Sequence, residues 1–181
     1  MLRTSVLAEL LYLEDLQRGQ RWVSPSRRIT AEDVANFAGL TGDHTPLHGN
    51  LLSDGLTEGG EASPFGRPVV HGLLGLSIMA GLSSECPRVC TLALVSMGAW
   101  EFRKPIYFGD AVRAEVEIVL IEPHGRRAGR VFWRRQLCGE DGQVYQEGEM
   151  ETLVARRVRA ARANVRPEYS TPAVAANPKE K

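Results

Sequence analysis

Thr41-Gly42-Asp43-His44-Thr45-Pro46-Leu47-His48 sets a carboxylate and an imidazole five residues apart, across a Gly-Asp turn and a proline. A carboxylate accepts protons, and an imidazole titrates near neutrality. Such a pair can therefore move a proton in either direction at physiological pH. A second block, Phe65-Gly66-Arg67-Pro68-Val69-Val70-His71-Gly72, leads into an apolar stretch. Together the blocks read as a carboxylate–imidazole pair, Asp43 and His48, facing the amino end of a buried helix. That arrangement suits proton transfer beside a polarised carbonyl. Taken singly, each residue has a plainer reading: Asp43 as a loop cap, His48 and His71 as structural histidines. It is the combination of blocks that points to chemistry.

Something must position this pair. Thr30 is a candidate N-cap, with Asp33 three residues on as a weak capping box. Val34, Phe37, Ala38 and Leu40-Thr41 then recur at helical spacing, and Gly39 and Gly42 mark where the helix gives way to the Asp43–His48 loop. Gly49–Ser63 holds four glycines (Gly49, Gly55, Gly59, Gly60) with Asp54, Glu58 and Glu61, and reads as a polar loop. From His71 to Leu82 the pattern is apolar nearly all round, which predicts a helix inside the protein.

The remainder changes period. Thr91–Phe102, Ala111–Ile121, Ala128–Leu137 and Gln143–Val154 are rich in β-formers and divided by turn signals at Pro105, Phe108-Gly109-Asp110, His124-Gly125 and Glu140-Asp141-Gly142. Helices followed by a run of antiparallel strands predict an α+β fold. Leu2–Gly19 reads as a leading segment, a short helix or an edge element. A single domain over residues 1–155 is expected, with 156–181, Arg- and Ala-rich and then Pro-rich, as a disordered tail.

Composition narrows the partners. At 181 residues, 43% hydrophobic and 24% charged, the chain suits one domain with a proper core. Twenty-two basic residues balance twenty-two acidic ones, so no global field favours nucleic acid or an anionic membrane. Val69–Leu82 is too short to span a bilayer. Glu9, Glu14 and Asp15 interrupt the apolar residues at the amino end, against a signal peptide. Cys86, Cys90 and Cys138 are an odd set that fits neither a disulfide framework nor a common zinc spacing. The expectation is a cytoplasmic protein with no metal and no cofactor.

The blocks, in this order, resemble the MaoC-like hydratases, the group that includes the (R)-specific enoyl-CoA hydratases. That family's motif runs Gly-Asp-x-Asn-Pro-(aliphatic)-His, and residues 42–48 match it at all positions but one. Phe65–Leu74 resembles the family's second block, and Phe102-Arg103-Lys104-Pro105-Ile106 with Gly109-Asp110 its third. The similarity covers roughly Tyr12 to Ala155. It implies a hotdog fold, with an antiparallel sheet wrapped around a long central helix, assembled as a homodimer. Two departures stand out. Thr45 replaces the usual Asn, so a hydrogen bond shaping the loop is lost or remade by the hydroxyl. The stretch from His48 to Phe65 is also longer and more Gly-rich than usual, and is expected to lie at the substrate entrance.

By resemblance, the reaction is hydration of an enoyl thioester or dehydration of a 3-hydroxyacyl thioester, carried on CoA or an acyl carrier protein. This is carbon–oxygen lyase chemistry of fatty acid or polyketide metabolism. Asp43 and His48 would hold the water. The amide of Gly72 would receive the thioester oxygen, since helix-start amides are unpaired and lie at the positive end of the dipole. Ser77 is a supporting candidate, equally readable as a hydroxyl bonded back to its own helix. Two rivals remain, a hotdog thioesterase and a non-catalytic acyl-thioester-binding subunit, because fold alone does not decide function.

Overall fold

The computed structural model describes residues 9–52, 55–57 and 64–157. Most of the expected tail, from residue 158 onward, lies outside them.

The first long element is helix α1, Ala31–Thr41. Thr30 caps it: its Oγ1 accepts from the Asp33 amide at 3.1 Å, while Asp33 Oδ2 accepts from the Thr30 amide at 2.9 Å. The capping box is thus complete with Asp in the acidic position, satisfying two amides that the first turn leaves unpaired. The helix stops at Gly42, whose φ of +76° no β-branched residue adopts cheaply, and whose N–H donates to Ala38 O at 2.8 Å. That left-handed residue turns the chain into Asp43.

Strands β1 (Arg21–Val23) and β2 (Arg27–Arg28) precede α1, and β3 (Asn50–Leu52) and β4 (Gly55–Thr57) follow it. Helix α2 runs Gly72–Glu85. Four long strands complete the chain: β5 (Thr91–Phe102), β6 (Ala111–His124), β7 (Ala128–Gly139) and β8 (Val144–Ala155). The main sheet is antiparallel in the order β1-β6-β7-β8-β5, with β2 also on β6. Its concave face receives α2, giving the α+β hotdog arrangement implied by the sequence blocks. The alternation of β6 explains the seat: Val112, Ala114, Val116 and Ile118 are all buried. One apolar cluster joins Leu74, Ile78 and Met79 of α2 to Val112, Ala114, Leu137 and Met150 of the sheet. A second gathers Trp133, Ile118, Val131 and Val154 under Leu13 and Leu16 of the leading segment, which forms a 3-10 turn at Leu13–Asp15.

Two expectations need correction. The described part of Gly49–Ser63 is not loop but a hairpin, β3 pairing antiparallel with β4 from Asn50↔Thr57 to Leu52↔Gly55; residues 53–54 and 58–63 lie outside the described residues. The acids that suggested a loop, Asp54, Glu58 and Glu61, lie outside the described residues, and β3 and β4 are each only three residues long. Nor is α2 covered on all sides. Leu74, Gly75, Ile78, Met79 and Ser83 are buried, but Leu73 is 60% exposed and Ala80 and Ser84 are exposed. The sheet covers only the helix face turned toward it, and the rest of α2, including the side where Ala80 and Ser84 border β5, stays open in a single chain.

Candidate active site

Three elements converge on Asp43. The Thr41 hydroxyl, bonded back to Phe37 O at 2.7 Å, accepts from the Asp43 amide at 3.3 Å and ties the loop to the end of α1. Thr45 then donates twice to Asp43 Oδ1, from its hydroxyl at 2.6 Å and its amide at 3.2 Å. From this position the Thr45 hydroxyl thus supplies a bond that fixes the carboxylate. These Thr45 bonds hold the Asp43 carboxyl below its usual range, so it is ionised at neutral pH.

Pro46 opens a 3-10 turn, Pro46–His48, which lifts the His48 ring over the carboxylate. His48 Nδ1 lies 2.8 Å from Val69 O; a carbonyl can only accept, so Nδ1 carries the proton and Nε2 is left facing Asp43. Asp43 Oδ2 lies 3.9 Å from His48 Nε2 and 3.9 Å from His71 Nε2. His71 is buried at 2% exposure, stacks on His48 with ring centroids 3.7 Å apart, and donates from Nε2 to Asp43 O at 3.1 Å. Phe37 of α1 packs against the same ring at a tilt, with centroids 5.2 Å apart. Read from the sequence as structural, His71 thus contacts both members of the pair.

Gly72 opens α2 directly after His71, where first-turn amides have no intrahelical acceptor. Its carbonyl accepts from Gln146 Nε2 at 2.9 Å, and a Cβ on it would stand 3.0 Å from the Phe102 ring. Gln146, on β8, is buried, and a Cβ at Gly75 would collide with its amide. A cavity of about 340 Å³ opens here between His48, Gly72, Phe102, Lys104 and Gln146. Phe102 and Gln146 were not read as site residues: one lies at a strand end and the other inside a strand, and only tertiary pairing brings them to Gly72. Ser77 is exposed and donates to Leu73 O at 2.8 Å, and it borders a different cavity from His48 and Gly72.

Asp43, His48 and His71 each present a possible metal ligand, all within 4.8 Å of one another. The His71 nitrogen that lies 3.9 Å from Asp43 Oδ2 is Nε2, whose hydrogen is given to Asp43 O. The cluster is better built to hold protons and hydrogen bonds than a cation. Burial, opposed by the Asp43 carbonyl, holds the His71 imidazole below its ordinary titration range. On unfolding that restraint vanishes, so the unfolded chain binds the extra proton first. Stability from the neutral ring is full above about pH 6.5 and is lost as the pH falls toward the depressed folded value. The melting temperature should fall through that window, and His71→Asn should flatten that part of the profile. An unchanged profile in the variant would mean that other groups cause the loss.

Comparison with known proteins places this geometry. Residues 17–131 match a family described as MaoC like domain. The chain is 34% identical over 123 residues to the (R)-specific enoyl-CoA hydratase of Aeromonas caviae, covering 66% of this chain and 85% of that one. It is 29% identical over 152 residues to a 3-hydroxybutyryl-CoA dehydratase of Methylorubrum extorquens, covering 83% and 88%. The crystal structure of the MaoC-like dehydratase from Rhodospirillum rubrum superposes with a TM-score of 0.68 at 26% identity, over 82% of this chain and 99% of that one.

Proposed function

The chain belongs to the MaoC-like family, and from that premise we propose that it hydrates trans-2-enoyl thioesters, or dehydrates 3-hydroxyacyl thioesters, carried on CoA or an acyl carrier protein. The supporting observation is the convergence of Asp43 Oδ2 and His48 Nε2, 3.9 Å apart, beside the amino end of α2. That spacing is too long for a direct hydrogen bond and suits one oxygen bonded to both groups. Both atoms are acceptors, one an ionised carboxylate and the other an imidazole nitrogen whose partner Nδ1 is committed to Val69 O. A water between them donates both hydrogens and turns a lone pair outward.

In the hydration direction that lone pair attacks Cβ. The double bond's electrons move toward the thioester oxygen, where the Gly72 amide and the positive end of α2 stabilise the developing enolate. The proton released by the water passes to His48 Nε2 and is delivered to Cα, so one water adds across the double bond and the thioester stays intact. Dehydration is the reverse. Asp43, held ionised by Thr45, orients the water and balances the imidazolium. His71 positions both through the Asp43 carbonyl and the stacked ring. Mixing pure protein with an enoyl thioester should remove the conjugated absorbance without freeing a thiol. Thiol release would indicate a thioesterase, and binding with neither change a non-catalytic acyl-thioester carrier; either result overturns the hydratase reading.

The working form of this reading is a homodimer paired through β5. That strand is exposed along Thr91–Ala99, with Leu92 56%, Leu94 58%, Val95 48% and Met97 41% exposed, beside the uncovered face of α2. A long apolar edge strand is an aggregation hazard unless paired, and two-fold pairing covers that edge. Sedimentation at micromolar concentration should give twice the chain mass, and Val95→Arg should shift it toward the chain mass. A wild-type monomer at that concentration refutes the dimer. Among the described residues, no helix is long and apolar enough to cross a membrane.

A further inference from the structure

Farther along α2 lies a second cavity, about 390 Å³, between the helix and strands β5, β6, β7 and β8. Its walls are largely apolar, including Leu76, Leu94, Met97, Trp133 and Met150, and Ala80 leaves room on the helix side. Pockets of this size and lining accept the apolar part of a small molecule. One residue does not suit a purely hydrocarbon occupant. Arg135 of β7 lines the same cavity.

Arg135 is a poorly satisfied cation. Nη1 donates to Ser83 Oγ at 2.7 Å, and the guanidinium carbon lies 5.5 Å from the centre of the Trp133 ring. Its Nε is buried without an acceptor. Its cross-strand neighbours, Val116 on β6 and Gly148 on β8, carry no charge. The ion pairs formed among the described residues leave Arg135 out, although Arg113, Arg130 and Arg134 of the same sheet all have carboxylate partners. Burial alone lowers the Arg135 pKa to about 10, so the side chain is still charged at neutral pH. A desolvated charge is costly unless a counter-charge meets it, and a planar guanidinium matches a carboxylate in geometry as well as sign.

We infer that this cavity receives the far end of the acyl group and that Arg135 selects acyl thioesters whose distal end carries a carboxylate. The inference rests on the hydratase reading for the near end of the substrate, at Gly72 and the Asp43–His48 pair. Both ends lie along one helix. From Gly72 to Ser83, the residue that holds the guanidinium, α2 rises about 16 Å. That span suits a carboxylated chain of medium length rather than the shortest diacids. The apolar walls take the methylenes, and the charge at the end supplies the missing partner of Arg135. A neutral alkyl terminus would leave the guanidinium unpaired and further desolvated, which is the stronger part of the discrimination.

The test uses the full chain and saturated, unreactive CoA thioesters in matched pairs of equal chain length, one ending in methyl and one in carboxylate, titrated calorimetrically. Wild type should bind the carboxylated member at least tenfold more tightly at the best chain length. Arg135→Met, which keeps the volume and removes the charge, should reverse the preference, with the ratio of the two affinities moving about a hundredfold. Arg135→Lys should restore part of it. A merely structural arginine would change the melting temperature or the oligomeric state and leave the ratio where it was. Equal binding of the pair by wild type, or an unchanged ratio in Arg135→Met, overturns the inference. If Arg135→Met does not fold, the wild-type preference and the Arg135→Lys ratio decide. A hydratase that turns over only methyl-ended substrates sinks the carboxylate inference alone. A protein that binds the carboxylated ligand yet removes no double bond sinks the hydratase reading alone.

Discussion

Asp43→Asn and His48→Ala should each cut turnover of an enoyl thioester by about three orders of magnitude, with the double mutant little slower than either single. The two groups act on one water, so removing either removes the shared step. The geometry motivates this directly: Oδ2 and Nε2 stand 3.9 Å apart and each is fixed from behind, by Thr45 on one side and Val69 O on the other. Asp43→Asn retains an oxygen that can accept from Thr45, so the loop should keep its shape while the charge is lost. The Asp43 side chain is 45% exposed, which limits any effect on folding. His48→Ala removes a ring stacked on His71 and should cost more stability; His48→Gln, which keeps most of the volume, separates that cost from the chemistry. Losses that multiply in the double mutant would mean two independent roles, and normal turnover in Asp43→Asn would dismiss the shared water.

Much of this arrangement is legible in the sequence, for identifiable reasons. The capping box at Thr30 and Asp33, the left-handed stop at Gly42 and the four long strands are written in local chemistry: a side chain that accepts an amide, a residue without Cβ, an alternating pattern. The Asp43–His48 block was legible because both residues lie on one short loop. What was hidden depended on tertiary pairing. β1 and β2 are three and two residues long and carry three arginines between them; they are strands only because β6 offers them an edge. The stacking of His71 on His48 joins residues 23 positions apart, and Gln146 reaches Gly72 across 74. The isolated charge of Arg135 is equally invisible in sequence, where it is one of three arginines in a strand (Arg130, Arg134, Arg135) and only the partner strands show which two are paired.

Gly72 is where backbone, not side chain, should decide the rate. Gly72→Val is expected to lose about two to three orders of magnitude in turnover, the range seen when an oxyanion donor is removed. Its melting temperature should change only modestly, because two effects oppose. A Cβ there would stand 3.0 Å from the Phe102 ring, tighter than ordinary packing, but that ring is 54% exposed and can swing away. Meanwhile, replacing a helical glycine restricts the unfolded chain and offsets part of the strain. The same contact raises a rival explanation, that the variant fails because a displaced Phe102 blocks the cavity rather than because the thioester is held off the amide. Gly72→Ala combined with Phe102→Leu separates them. Leu removes the ring that the methyl would press on and leaves the methyl at the amide. If that pair stays as slow as Gly72→Ala alone, the missing approach to the Gly72 N–H is the cause. If Phe102→Leu restores turnover, the defect is the ring. A Gly72→Val protein with normal turnover would remove Gly72 from the site and leave the positive end of α2 without a role in polarising the thioester.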